Sequence, residues 1–476
     1  MHDFSALIAS VRHGANSIAE IARQNLGRRA WLALVAFIWI ALVYVIVAFA
    51  DVTASTFVGL TEELHGEFAF NPGGAVAAAS TMYLLLALVM GVVQRKLSPP
   101  MWLLTAIFVP ATLGVVWLGT EVSTVLVHSL GFWHVAILVY CFAASLLPMW
   151  LLQQPRGYLG GFILYIVLAI GVLGIFLGGF EIRQPAVHHS TTGSPVEQLL
   201  FPFLFVTIAC GACSGFHGLV CGGTTSKQIA RESHCRPIGF GAMLLEGMVA
   251  LIALATVMIV APEGVGSRAP GKLYGDGIAA FFAALFGEQW MTFAITFGAM
   301  AFSTFVFDTL DVATRLGRYL LQELSGGLGF KASSRTAGIA AAAGTAGAPL
   351  LVLLSADEGA WRQFWVLFGT SNQLLASLTL LGITVWLYRS GRRYWYTLLP
   401  MLFVFAATVT ALLVQIGMGA REFFLRGFRL ESEIVNGAAA LILLVLAVVF
   451  VVEALKAVEE TRRARALPEP SPETGD

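Results

Sequence analysis

Phe201-Pro-Phe-Leu-Phe-Val-Thr-Ile-Ala-Cys-Gly-Ala-Cys-Ser-Gly-Phe-His217 carries the decision about this chain's fold. It is apolar enough for a bilayer interior, yet Gly211, Ala212, Ser214 and Gly215 lower helix propensity at its middle. Thr207, Ser214 and His217 add polar atoms in the same place. Backbone that leaves the helix inside a membrane survives only where protein buries it or where it lines a polar cavity. The pattern therefore predicts a broken helix, with free carbonyls for a cation and free N–H groups for a carboxylate. A stripe of small residues for close helix packing is the alternative. On the first reading Thr207, Gly211, Ser214, Gly215 and His217 contact a substrate, and His217 can carry a proton. A neutral histidine bonded to a nearby carbonyl is the plainer role.

The composition around this stretch sets the class. Of 476 residues, 58% are hydrophobic and 12% charged, about half the charge of a soluble domain, which is roughly 25%. That excludes a water-soluble enzyme and a disordered protein. The 28 Lys and Arg balance 28 Asp and Glu, so no basic surplus attracts nucleic acid. Five cysteines, mostly in apolar stretches, do not read as a secreted disulfide scaffold. Cys210 and Cys213 form a C-x-x-C with no second pair, so packing is preferred to metal binding.

A helix needs roughly 20 apolar residues to span the hydrocarbon. Twelve stretches qualify, at about 30–50, 74–94, 101–119, 132–152, 159–179, 199–220, 239–261, 289–313, 337–354, 364–388, 395–417 and 436–455. The fold expected is an all-α polytopic membrane protein of about 12 transmembrane helices. It has a cytoplasmic segment 1–29, a transmembrane domain 30–456 and a disordered cytoplasmic tail 457–476. With both ends inside, most Lys and Arg fall on the cytoplasmic side, among them Arg28, Arg29, Arg95, Lys96, Arg156, Lys227, Arg389 and Arg463. Arg156 is placed in a loop between spans. The outer segment 418–435 reads as an amphipathic surface helix, Glu62, Glu63 and Glu67 as a solvated loop, and Trp133 and Trp150 as interfacial anchors.

Polar groups at membrane depth supply the remaining candidates. Glu246 lies inside a span, where a carboxylate is costly and wants a partner such as His217 or a proton. Thr304, Asp308 and Asp311 lie on the eighth span, and Asp308, Asp311 and Arg315 share one helix face. These oxygens suit Na⁺ or H⁺ coupling; an Asp–Arg pair tying down the helix end is the alternative. Gly369-Thr-Ser-Asn-Gln373 predicts a second unwound or cavity-lining segment, with Ser371, Asn372 and Gln373 touching substrate; interhelical hydrogen bonding is the alternative. Thr224, Thr225 and Ser226, followed by Lys227, read as a helix N-cap on the cytoplasmic side. Thr224, Thr225, Lys227, Arg315 and Arg318 are the gating candidates. No catalytic residue, cofactor or metal is expected, beyond Na⁺ or H⁺ as coupling ion. A haem enzyme would need paired histidines in spans, and only His134 and His217 qualify.

Four ordered blocks resemble one family. They are Phe201–Lys227 continued by Arg236-Pro-Ile-Gly-Phe-Gly-Ala-Met-Leu-Leu-Glu246, the run from Asp308 to Glu323, the run from Leu367 to Ala376, and His2-Asp-Phe through Glu20. Together they are similar to the carbon starvation protein A family over residues 2–456. The resemblance implies an inner-membrane transporter induced by nutrient limitation, taking up short peptides or, in some members, pyruvate with a proton. It also implies the inverted-repeat fold of the amino acid–polyamine–organocation superfamily, with two discontinuous helices meeting at the midplane. Family members carry further membrane segments ahead of the His2 block, one of which pairs with 201–217, so this sequence resembles an N-terminally truncated member with a partial inverted repeat. A chain of that kind is expected to need a membrane partner or homo-oligomer, or to act as a non-transporting accessory protein.

Overall fold

A computed structural model describes residues 2–59, 62–64, 68–185, 200–208, 211, 213–265, 268–330, 334–356, 359–427 and 432–466. The helices are α1 His2–Arg12, α2 Ile18–Leu26, α3 Arg28–Thr56, α4 Pro72–Leu97, α5 Met101–Glu121, α6 Leu130–Leu146, α7 Gln153–Leu177, α8 Phe205–Ile208, α9 Gly215–Gly223, α10 Ala242–Met258, α11 Pro262–Val265, α12 Pro270–Phe286, α13 Met291–Gly327, α14 Arg335–Ser355, α15 Ala360–Arg389, α16 Trp395–Arg426 and α17 Ser432–Ala466. An antiparallel hairpin, β1 Glu62–Leu64 and β2 Phe68–Phe70, precedes α4 where a plain loop was expected. Glu67 lies outside the described residues.

Local sequence explains the ends. Ser17, Asn71, Ser129 and Ser334 each accept the N–H three residues on, capping α2, α4, α6 and α14. Pro72 adds a fixed φ at the first position of α4, where its missing N–H costs nothing.

Among the described residues, ten helices are long and apolar enough to cross a membrane, where twelve were expected. The difference has two sources. The 130–146 helix is apolar but short. The 199–220 stretch is not one helix: it breaks after Ile208 and resumes at Gly215. Outside that count, the 17-residue α12 lies in what read as an outer loop. Lys272 and Asp276 interrupt its apolar pattern, which concealed a helix packed on α13, α7 and α10. The approach of α12 to α13 requires glycine: a Cβ on Gly298 would lie 2.8 Å from the Gly275 carbonyl oxygen.

Helices α3, α13 and α15 form the centre, and α15 is the most enclosed, with 89% of its most apolar stretch buried. The corresponding share is 22% for α5 and 11% for the helix containing α10, so these face outward. Lipid is as apolar as Leu, so the centre gains little from hydrophobicity and relies on packing and interhelical hydrogen bonds.

Several expectations are corrected. Residues 369–373 are not unwound; they lie inside the continuous helix α15. Arg156 is not in a loop but in the first turn of α7, 1% exposed. Trp133 is no interfacial anchor: it is buried against Phe57 and Phe132. The helix α17 carries the expected tail as far as Ala466, and 467–476 lie outside the described residues. The surface helix expected over 418–435 is instead the end of α16 and the start of α17, with 428–431 outside the described residues. The N-terminal segment holds two packed helices, and α1 buries His2, Asp3, Ser5 and Ala6 against α9 and α15.

Candidate substrate cavity at the broken helix

The break is built from both sides. Ser214 caps α9, its hydroxyl accepting the His217 N–H at 3.4 Å. Asn372 on α15 then takes what the break leaves open: its Oδ1 accepts the Phe216 N–H at 2.8 Å, and its Nδ2 donates to Ser214 Oγ at 3.0 Å. Gln373 Nε2 donates to the Cys213 carbonyl at 3.0 Å. A helix start leaves four N–H groups without intrahelical partners, and α15 supplies an acceptor for one of them here. That satisfaction lets the polar run on α15 remain helical.

Gly215 sits against α15 as well. A Cβ there would lie 2.5 Å from the Asn372 carbonyl oxygen and from Leu375 Cβ, so only glycine allows this approach. Ser371 donates to its own helix at the Phe368 carbonyl. Gly215, Asn372 and Gln373 thus pack at the joint of α9 and α15, Ser371 is buried on α15, and none of the four lines the main cavity. Thr207 is exposed on α8. Gly211 is exposed in the break, 4.0 Å by its Cβ position from Glu246 Oε1.

A cavity of about 810 Å³ opens beside α9, walled by α1, α4, α7, α9, α10 and α13 with the start of α5. Asp3, His217, Glu246 and Asp308 line it, with Met90, Met101, Met149 and Met243 among the apolar residues. No Lys or Arg lines it among the described residues. His217 joins two carboxylates, Nδ1 lying 3.2 Å from Asp3 Oδ2 and Nε2 3.5 Å from Glu246 Oε1. The other Asp3 oxygen is 2.8 Å from His2 Nδ1.

A second charged group lies between α7 and α13. Arg156 pairs with Asp311 through Nη1 and approaches Asp308 Oδ1 at 3.5 Å through Nε. Tyr140 donates to Asp311 Oδ2 at 2.8 Å, and Arg156 Nη2 donates to the Thr304 carbonyl at 3.2 Å. The guanidinium also lies over the Phe307 ring. Asp311 is 2% exposed, whereas the Asp308 side chain is 36% exposed and reaches the cavity. Thr304 Oγ1 is buried without a hydrogen-bond partner among the described residues. Asp311 does not pair with Arg315, which donates instead to the Leu147 and Ala144 carbonyls at 2.7 Å.

The gating candidates separate. Thr224, Lys227 and Arg315 meet around a recess of about 210 Å³ that shares Thr224, Met149 and Gln153 with the main cavity. Thr225 and Arg318 do not line it, and Arg318 lies over the Tyr319 ring. Thr224 closes the C-terminus of α9 without a side-chain cap, so the N-cap expected at 224–226 is corrected: the cap of this helix is Ser214. His134, the other histidine considered for haem, is paired with Asp51 Oδ1 at 2.8 Å.

The sequence reading missed Asp3, Arg156 and Tyr140. Pro155 beside Arg156 was the available sign of a helix start there.

Fold and cavity define a helical membrane protein in which one helix, α8 to α9, is interrupted beside an acid-lined chamber, and interrupted helices of this kind form the binding sites of many solute carriers. The family model described as carbon starvation protein CstA matches residues 1–267 and 264–411, and the chain belongs to that family. It is 28% identical to the pyruvate/proton symporter BtsT of Escherichia coli K12, over 92% of this chain and 72% of that protein. It is 29% identical to the peptide transporter CstA of Campylobacter jejuni, over 86% of this chain and 66% of that one. The peptide transporter CstA of Bacillus subtilis is 28% identical, with 96% and 80% covered. The chain therefore spans between about two thirds and four fifths of the length of these relatives. Their names are those of transporters rather than enzymes, in keeping with the reading of the sequence.

Proposed function

We propose that the chain moves a small solute across the cell's inner membrane by cation-coupled alternating access, with both termini cytoplasmic. The observation that carries this reading is the broken helix standing over a cavity of about 810 Å³ walled by carboxylates. Orientation rests on the Lys and Arg distribution along the sequence. The relatives' names point to a short peptide or a small carboxylate such as pyruvate as cargo.

Charge separates these two cargoes. The described lining carries Asp3, Glu246 and Asp308 and no fixed cation except a protonated His217. The first N–H groups of α9 are already taken by Ser214 and Asn372. A peptide brings its own ammonium group into such a chamber; pyruvate needs a cation to accompany it. Coupling to H⁺ or Na⁺ is assigned to Asp308, which faces the cavity while sharing Arg156 with the buried Asp311, with Thr304 on the same helix face. The family's description ties it to carbon starvation, so expression is expected to rise as carbon is exhausted.

The test is uptake into proteoliposomes of radiolabelled dialanine and of pyruvate, under an imposed proton or sodium gradient. Accumulation of either that collapses with the gradient, and falls at least tenfold in Asp308→Asn at equal protein content, is expected. No accumulation of either by folded protein would refute the transport reading. Uptake unaffected by Asp308→Asn would remove the coupling assignment.

A further inference from the structure

We propose that Asp3, His217 and Glu246 form a binding site for a divalent first-row transition-metal ion, of the Zn²⁺ or Mn²⁺ type, on the wall of the cavity. One donor atom from each residue lies within 4.8 Å of the other two. Around an ion with Zn–N and Zn–O bonds near 2.1 Å, ligand atoms stand roughly 3 to 4.2 Å apart, so about an ångström of contraction completes the set. The donors come from α1, α9 and α10, three separate elements, so their convergence is not a by-product of helical spacing.

The donor chemistry selects the ion. One imidazole with two carboxylates suits first-row divalent ions; Mg²⁺ and Ca²⁺ prefer oxygen alone, and Cu⁺ prefers sulfur. Three protein ligands leave coordination positions open, and these face the cavity that all three residues line. The Asp3, His217 and Glu246 side chains are 11%, 28% and 38% exposed, enclosed enough to hold an ion and open enough to admit one. Asp3 is braced from behind by the buried His2, whose Nδ1 lies 2.8 Å from the oxygen turned away from His217. Such a second contact orients a ligating carboxylate. Charge favours the ion as well, because two carboxylates converge where no Lys or Arg lines the wall among the described residues.

In this structure the imidazole lies between the two carboxylates, hydrogen-bonded to Asp3 and 3.5 Å from Glu246. A metal ion replaces that arrangement with one ring nitrogen and one oxygen from each carboxylate. The claim is one of binding and stands apart from the transport reading, so its test reads bound metal rather than uptake.

The full chain, purified in detergent and stripped with EDTA, is titrated calorimetrically with Zn²⁺ and separately with Mn²⁺. Bound metal is counted by mass spectrometry after desalting. One ion per chain is expected, with affinity lowered by about tenfold or more in His217→Ala and in Glu246→Gln. His128→Ala, at an exposed histidine outside the site, should bind as the parent does. Glu246→Gln keeps the side-chain shape and decides the matter if His217→Ala fails to fold. Absence of saturable binding of both ions, or equal affinity in Glu246→Gln and the parent, overturns the proposal.

Discussion

Replacing Arg156 by Met would strand two carboxylates at once. Arg156 is 1% exposed and Asp311 2%, so water cannot take over the lost partner. The Tyr140 hydroxyl remains as a donor to Asp311, but a phenol does not neutralise a buried charge. Breaking a buried ion pair from one side costs about 3–5 kcal/mol. Asp308 adds little to this, because its half-open carboxylate can turn to water in the cavity. For a chain of this length each kcal/mol lowers the melting temperature by roughly 1–2 °C, so the drop should be about 3–10 °C by the same scaling. Fluorescence-detected melting in detergent measures it. Arg156→Met combined with Asp311→Asn should recover most of the loss, since the charge that caused it is gone. A double variant no more stable than Arg156→Met alone would refute the reasoning, because the cost would then lie in packing against Phe307 and not in the unpaired carboxylate.

Three further outcomes follow from the joint between α9 and α15. Gly215→Leu should push α9 off α15 and lower both membrane abundance and melting temperature, an overpacking cost of about 1–3 kcal/mol or more; abundance equal to the parent would show that the close approach is not required. Asn372→Leu removes the acceptor of the Phe216 N–H and the donor to Ser214, costing about 1–3 kcal/mol for the unsatisfied groups, whereas Thr410→Val, at an exposed hydroxyl on α16, should leave melting unchanged. Ser214→Leu loses the cap and fills the break: uptake should vanish by the proteoliposome assay, with stability lowered by about 1 kcal/mol for the cap, and full uptake would detach the break from transport.

What could be read in the sequence divides along a physical line. The interruption between Ile208 and Gly215 announced itself because glycines and polar atoms clustered inside an apolar run, a purely local signal. Glu246 needed only a partner, and His217 was named as one because both were costly at depth; their separation is 3.5 Å. The polar run at 370–373 carried the same local signal and yet is helical. Its partners, Ser214, Cys213 and Phe216, lie more than 150 residues away, and no local pattern reveals that they satisfy it.

Arg156 failed for a related reason. A single Arg between two apolar runs fits a cytoplasmic loop, and only the distant Asp308 and Asp311 turn it into a buried pair. Asp3 stood in a segment of mixed composition that looked soluble, although α1 buries one face against α9. The helix α12 was hidden by Lys272 and Asp276, which broke its apolar window without breaking its helix.

The central claim is that the chamber under the broken helix is a watery passage that holds cargo. Gln154→Cys, at an exposed position lining that chamber, in a background with the native cysteines replaced by serine, tests it directly. A membrane-impermeant maleimide is applied to inside-out vesicles with and without saturating dialanine or pyruvate, and the rate of labelling is followed. Ready labelling that slows when one of these cargoes is present is the predicted result. A thiol that no impermeant reagent reaches, or one that labels at the same rate whatever solute is added, would contradict the account.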